Sequence, residues 1–361
     1  MEWLSLILIL PYIYIISGVY FSLRRIKQYK PVLSAKVSVS VIVACRNEEK
    51  ELPLLLSDLA AQHYSQDNSE VVIVDDGSAD STYATASGFT GIKNYKVIGN
   101  TGSGKKKAIK TGVEACMGDL VITADADCRM GPGWLETIAS FHSEQKPEMI
   151  TGPVVLKGTK GFFQRFQELE FLSLQGITAG TANAGNPVMC NGANLSFVKN
   201  AYSASAEQMH PDLVSGDDVF LLHAVKSRRG KISWLESDEA AVTTRSEPTL
   251  LSFLKQRARW ISKAGAYRDG YTRLLSIVTF VTILIQLSML SAAVFRPVFL
   301  IIYLISFILK SVPDLLILIN RASVNKKKNL LWFFLPGQLV YPFYVLSVVL
   351  YWFFTKSDYT R

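Results

Sequence analysis

The chain is poor in the residues that build soft metal centres. Its 361 residues include four scattered histidines and four cysteines, Cys45, Cys116, Cys128 and Cys190. No two cysteines form a C-x-x-C pair, which argues against a zinc site or a disulfide framework. The pattern suits small buried thiols in a reducing cytoplasm. Internal repeats and low-complexity tracts are absent. So is any nucleic-acid-binding motif, which turns the formal net charge of +8 toward an anionic membrane surface or an anionic substrate.

A missing hydroxyl is equally informative. Residues 99–106 read GNTGSGKK, with Gly99, Gly104 and Lys105 at the spacing of a triphosphate-binding P-loop. An apolar stretch, YKVIG, precedes the loop and a helical pattern, KKAIKTGVEACMG, follows it. A P-loop places Ser or Thr next, to ligate Mg²⁺; this chain has Lys106, and an ammonium is no metal ligand. The loop still attracts phosphate through its backbone N–H groups, its helix N-terminus and Lys105. The plain alternative is a solvated basic turn before a surface helix. On either reading, a metal must be held elsewhere.

Charge is absent from residues 3–23, a run long enough to cross a bilayer. Residues 274–295, 298–319 and 330–355 form three more apolar runs, the second of them broken by Lys310, Pro313 and Asp314. Together they account for a mean hydropathy of +0.22 and a hydrophobic share of 49%. The first run reads as a retained span, since Glu2 and no Lys or Arg precede it and positive charge follows. Basic segments RRIKQYK (24–30) and NRASVNKKKN (320–329) set the orientation if both are cytoplasmic. The N-terminus then lies outside, the middle of the chain inside and the C-terminus outside. Lys310 and Asp314, four apart, line a polar passage, form a buried pair or mark a bend at Pro313.

Between the runs, strand-like and helix-like stretches alternate. VSVSVIVA (37–44), EVVIV (70–74), KVIG (96–99) and DLVITA (119–124) read as buried strands. After the first, CRNEEKELPLLLSDLAAQ reads as a helix with its acids in the first turn. The alternation predicts an α/β fold with a mostly parallel sheet. Phe162, Phe166 and Leu169 share a helix face, and residues 250–261 are both apolar and basic. Both stretches either cover the sheet or lie in a membrane interface.

Two of the four strands end in acids, and the carboxyl ends of such strands are where ligands bind. Asp125 and Asp127, two apart, point to one side of a strand end and can share one hard cation, Mg²⁺ or Mn²⁺. Waters and substrate phosphates usually complete such a shell. Alone, D-x-D is also a common acidic turn, and Asp75 and Asp76 in DDGS also read as a cap and turn.

In chain order the motifs are VSVIVACRNEE, IVDDGS, GKKKAIKTG, TADADC, CNGANLSF (190–197), SGDDVFLLHAV (215–225) and QRARW (256–260). This succession resembles family 2 glycosyltransferases of the GT-A fold. More narrowly it resembles their membrane-bound branch, with the cellulose, chitin and hyaluronan synthases and ceramide glucosyltransferase. The resemblance covers residues 36 to about 265. It implies a GT-A catalytic domain (36–265) between an N-terminal span with its basic segment (1–35) and a C-terminal membrane region (266–361). The competing reading is a membrane-tethered P-loop NTPase, which lacks the metal-ligating hydroxyl and leaves QRARW without a purpose.

What the resemblance implies is transfer of a sugar from a nucleotide-diphosphate donor, UDP by default, to a lipid or glycan acceptor. It assigns Asp75 and Asp76 to base and ribose, Lys105 to the diphosphate, Asp125 to ribose, diphosphate and metal, and Asp127 to direct metal ligation. Asp218, second acid of SGDDVF, is the implied base; with no candidate nucleophile the outcome is inversion. Asp217 and Asp218 also read as an acidic pair at a helix N-terminus. Gln256, Arg259 and Trp260 share one helix face (i, i+3, i+4). Arg259 suits phosphate, Trp260 a sugar ring. Asn191 and Gly192 fall near the implied acceptor pocket, and Arg46 and Glu48 either touch the nucleotide or cap a helix. The expected setting is a bacterial inner membrane with the catalytic domain cytoplasmic. Single transfer to a lipid and processive polysaccharide synthesis both remain open, with the small membrane region favouring a glycolipid or short glycan.

Overall fold

A run of β-branched residues buried on both faces needs helices above and below it, and the chain supplies them. The computed structural model describes residues 2–31, 36–158, 160–210, 213 and 215–356. The chain divides into two compact units. A sheet unit comprises Lys27–Lys157 and Met189–Arg245; a helical unit comprises Met1–Ile26, Gly158–Val188 and Ser246–Lys356.

The sheet unit carries the strands β1 (Val39–Cys45), β2 (Ser69–Asp75), β3 (Tyr95–Gly99), β4 (Leu120–Asp125), β5 (Arg129–Met130), β6 (Met149–Thr151), β7 (Val154–Lys157), β8 (Leu195–Val198), β9 (Ile232–Trp234) and β10 (Val242–Arg245). Seven form one sheet in the order β3-β2-β1-β4-β8-β6-β9, and β5-β10-β7 form a second. The run β3-β2-β1-β4 is parallel throughout. β8 runs antiparallel to both its neighbours. Chain order reverses between β1 and β4, which opens a crevice at their carboxyl ends.

The four predicted strands are present, each within two residues at either end. Val41, Val43, Val72, Ile73, Val121 and Ile122 are buried at their centres. The helix Lys105–Ala115 approaches this sheet closely, because a Cβ on Gly112 would stand 2.5 Å from Ile42 Cγ2. The helix after β1 starts later than its acids suggest: it runs Leu52–Ala60, with Glu48 and Glu49 in the preceding turn and Glu51 at the cap. Pro53 fixes that start, since proline fits only the first turn of a helix. β5 to β10 have no clear sequence signature, because two to four residues are too few to show alternation. Cys45, Cys116 and Cys128 are buried free thiols, and Cys190 is a half-buried one.

In the helical unit, four helices among the described residues are long and apolar enough to cross a membrane: Ser5–Leu23, Gly270–Ala292, Val298–Val324 and Lys328–Thr355. The third continues through Pro313. Its Lys310 and Asp314 form a buried ion pair at 2.7 Å. The helices Phe162–Asn183 and Leu250–Ser262 belong to this unit. Gly176 and Gly180, four apart on the first of these, admit neighbours closely. A Cβ on Gly176 would lie 2.4 Å from Ile317 Cγ2, and one on Gly180 would lie 2.7 Å from the carbonyl oxygen of Val19.

Candidate active site

Sheet register brings the candidate residues to one edge. Cys45 pairs with Asp75, Asp75 with Gly99, and Ala44 with Asp125, so three strand ends and the loop after β3 meet there. Asp75 is mostly turned inward. It accepts from the Ser78 hydroxyl at 2.5 Å and the Ser78 N–H at 3.2 Å, which folds the DDGS turn. Gly77, at φ +69°, supplies the left-handed step of that turn.

Asp76 anchors the loop that resembles a P-loop. Its carboxylate accepts from the Gly104 N–H at 2.9 and 3.0 Å and from Asn100 Nδ2 at 2.6 Å. Arg46 lies 3.9 Å away. The backbone donor that a P-loop would aim at phosphate is therefore spent on a carboxylate. Gly104 itself sits at φ +90°, a conformation other residues rarely adopt.

Lys105 reaches back across the edge to Asp125 at 2.5 Å. Burial works against its charge, but Asp125, Asp217 and Asp218 outweigh burial and raise its pKa. Lys106 points elsewhere, donating to the His210 carbonyl and lying 5.3 Å over the Phe220 ring.

Asp127 accepts from the Thr244 hydroxyl at 2.8 Å. Burial and then Asp125 push its carboxyl above the usual range, against the pull of Thr244 and Lys105. Glu48 is raised likewise, by burial first and then by Asp127, Glu51, Asp125 and Asp80. Negative charge thus exceeds positive at the end of β4. Among the described residues no group of three or more His, Cys, Asp or Glu is arranged to hold a metal ion. Two hard carboxylates at an acid-rich strand end nonetheless fit Mg²⁺ or Mn²⁺, which take the rest of their shell from water and phosphate.

Asp218 opens the helix Asp217–Ser227, after Gly216 at φ +100°. One carboxylate oxygen accepts from the Val219 N–H at 2.8 Å, and the other from the Gly192 N–H at 3.3 Å. Gly192 is held in turn: its carbonyl accepts from the Thr123 hydroxyl at 2.7 Å, and Asn191 caps the short turn by accepting from Ala193 N–H at 3.0 Å. A Cβ at Gly192 would lie 3.8 Å from the Asp218 Cβ, in ordinary contact.

Gln256, Arg259 and Trp260 lie on the Leu250–Ser262 helix of the other unit. There the buried arginine of QRARW is Arg257. It pairs with both Glu170 oxygens, at 3.1 and 2.6 Å, and its guanidinium lies 4.5 Å from the Phe253 ring centre and 4.0 Å from that of Trp260. Gln256 accepts from Arg257 and donates to Glu247 at 2.8 Å. Arg259 is exposed.

Sequence reasoning missed Thr244, Asn100 and Thr123, and gave Arg257 no part. Thr244 reaches Asp127 only through β10 pairing with β5, and nothing in VTTR announces that. Arg257 had a signal: it falls one turn after Phe253 and one before Trp260.

The sheet order and the acids at its carboxyl edge define a nucleotide-type α/β domain of the GT-A class. The profile of Glycosyl transferase family 2 matches residues 40–201, and this stretch of the chain is similar to that family. Undecaprenyl-phosphate 4-deoxy-4-formamido-L-arabinose transferase of Aeromonas hydrophila is 40% identical over 98 residues, 26% of this chain and 30% of that protein. Poly-beta-1,6-N-acetyl-D-glucosamine synthase of Staphylococcus epidermidis is 23% identical over 264 residues, 68% of this chain and 61% of that one. The chain therefore matches less than two thirds of either relative's length. The solved mannosyltransferase PcManGT of Pyrobaculum calidifontis, in complex with GDP-Man and Mn²⁺, shares the fold with a TM-score of 0.58 at 16% identity, over 97% of this chain and 98% of that one.

Proposed function

We propose that the protein transfers a sugar, with inversion and with a divalent metal ion, from a nucleotide-diphosphate sugar to a hydroxyl of a membrane-associated lipid or glycan. One observation carries this reading: Lys105 bonds Asp125 while lying in the field of Asp217 and Asp218. A single cation thus couples the acid pair after β4 to the acids that open the 217–227 helix. Diphosphate binding and proton removal need those two sets side by side.

Asp218 takes the acceptor hydroxyl's proton. The acceptor oxygen bonds to the anomeric carbon from the face opposite the diphosphate. The bond from that carbon to the diphosphate oxygen breaks, its electron pair leaving with the nucleoside diphosphate. The Gly192 N–H orients the Asp218 carboxylate. Lys105 shifts from Asp125 toward the leaving diphosphate and offsets its charge. Asp125 and Asp127 would hold Mg²⁺ or Mn²⁺, which when bound neutralises the diphosphate. Asp75, Asp76 and Asp125 serve the nucleoside, and Gln256, Arg259, Trp260, Asn191 and Gly192 the diphosphate and acceptor. The similar proteins' activities support nucleotide-sugar donors and lipid or glycan acceptors, and the basic segments 24–30 and 320–329 support a cytoplasmic catalytic unit in a bacterial inner membrane.

The test is mass spectrometry of products formed by the purified full chain from a panel of nucleotide sugars, with and without a chelator, with the anomeric configuration of each product read by NMR. A metal-requiring glycosylated product of inverted configuration supports the reading. Hydrolysis of nucleoside triphosphate without glycosyl transfer would overturn it.

A further inference from the structure

The function above leaves unexplained why apolar spans carry a lysine, an aspartate and a glutamine. Such groups are costly at membrane depth. They converge on a cavity within the helical unit, lined by residues of the first, third and fourth spans and of the Phe162–Asn183 helix. Its charges are already neutralised. Lys310 binds Asp314 at 2.7 Å and donates to Gln338 at 2.9 Å. Asp314 also accepts from Tyr12 at 2.7 Å and from Gln338 at 3.1 Å. Glu170, also on the lining, is matched by the two-pronged Arg257 and by Tyr344 at 3.1 Å.

What remains free is neutral. Ser173 and Tyr341 line the cavity, and among the described residues neither hydroxyl has a hydrogen-bond partner. A phosphate entering here would meet two carboxylates and no unneutralised cation. A ring of hydroxyls would meet hydroxyls, carboxylate lone pairs and the lining side chains of Tyr12 and Tyr341. The spans that form the lining favour a ligand carried in the bilayer.

We infer that this cavity binds the uncharged polyhydroxy head of a membrane lipid, a glycosyl-diacylglycerol being the simplest example, and not a lipid phosphate. This names the acceptor class for the proposed reaction and rests on that reading.

The test measures lipid binding by the full chain in nanodiscs, using the Asp218→Asn background so that turnover does not consume the ligand. The probes are a monoglycosyl-diacylglycerol, the corresponding free sugar and a long-chain polyprenyl phosphate. The expected order is glycosyl-diacylglycerol first, with both others much weaker. Ser173→Ala and Tyr341→Phe should each weaken the glycolipid roughly 2- to 12-fold, the worth of one neutral hydrogen bond, and leave the polyprenyl phosphate unaffected. Tighter binding of polyprenyl phosphate, equal binding of the free sugar, or glycolipid affinity unchanged in both variants would overturn the inference. Acceptor assays with active enzyme separate the two readings. Transfer to polyprenyl phosphate alone sinks this inference and leaves the glycosyltransferase reading standing. Transfer to no acceptor sinks that reading.

Discussion

The two units treat charge in opposite ways. In the helical unit the buried pairs are matched in charge: Lys310 with Asp314, and Arg257 with Glu170. At the carboxyl edge of the sheet the acids outnumber their partners, and burial first and then these neighbouring acids raise the carboxyl pKa values of Asp127 and Glu48. Paired charge with no water to stabilise it serves the fold. On the proposed reading, unbalanced charge at an open sheet edge is what a site for a charged ligand requires. The same contrast holds within the sheet. At the opposite end of β2, Glu70 is buried but accepts from Ser40, Met117 and Gly118 and lies 3.3 Å from Lys96.

The largest expected effect is on the unbalanced edge. Asp218→Asn keeps the shape and removes the base, so turnover should fall about 10²- to 10⁴-fold. Donor affinity by calorimetry should stay near wild type, because the isosteric amide keeps the side chain's shape and its one oxygen still accepts from the Val219 or the Gly192 N–H. Asp217→Asn should lose far less. If Asp217→Asn is dead and Asp218→Asn turns over normally, the base is the other carboxylate.

The paired unit should respond in stability instead. Lys310→Met leaves Asp314 buried without its cation, which costs about 3–5 kcal/mol. Adding Asp314→Leu removes the orphaned charge and should restore most of that loss. The comparison is made by thermal unfolding of both variants in detergent. A harmless Lys310→Met single variant would show that the pair is not what makes those charges tolerable.

How much of this could be read from the sequence follows from what each feature depends on. The four parallel strands and the four spans are runs of one residue class, visible without any partner. Asp75, Asp76, Lys105, Asp125, Asp127 and Asp218 fall at strand or helix ends, and elements of this length declare their ends. Arg259 carried the expectation for QRARW because its charge fits phosphate; that Arg257 is the buried one depends on where Glu170 lies, 87 residues away. Thr244 and the Gly192 grip on Asp218 rest on pairings between short segments. Such contacts follow from tertiary assembly, and local pattern says nothing of them.

A smaller effect is expected at Glu70, and it is pH-dependent. Burial alone would raise its pKa, but Ser40, the Met117 N–H and Lys96 outweigh burial and lower it. A carboxylate lowered in the folded state stabilises the protein above its unfolded pKa. That contribution disappears as pH falls through the lowered folded value. The acid limb of melting temperature against pH should therefore be steeper in wild type than in Glu70→Gln. At neutral pH Glu70→Gln should lose roughly 1–3 kcal/mol, the cost of weakened buried hydrogen bonds. Superimposable acid limbs would mean that Glu70 does not hold its charge through these contacts.

The smallest effect is expected where the sequence looks most suggestive. Lys106→Ser completes the P-loop pattern with the hydroxyl it lacks, yet it should confer no ATPase activity. The pattern's other parts are committed: the Gly104 N–H donates to Asp76, and Lys105 is bonded to Asp125. The variant loses the Lys106 bond to the His210 carbonyl, at a partly solvated position, and its 5.3 Å contact with the Phe220 ring. Sugar transfer should change by no more than a few-fold, in the manner of a modest surface contact. ATP hydrolysis is read by phosphate release beside the transfer assay on the same preparation. Phosphate release above background in Lys106→Ser, absent from wild type, would show that the loop can cradle a triphosphate despite the Asp76 anchor, and that the resemblance to a P-loop is more than spacing.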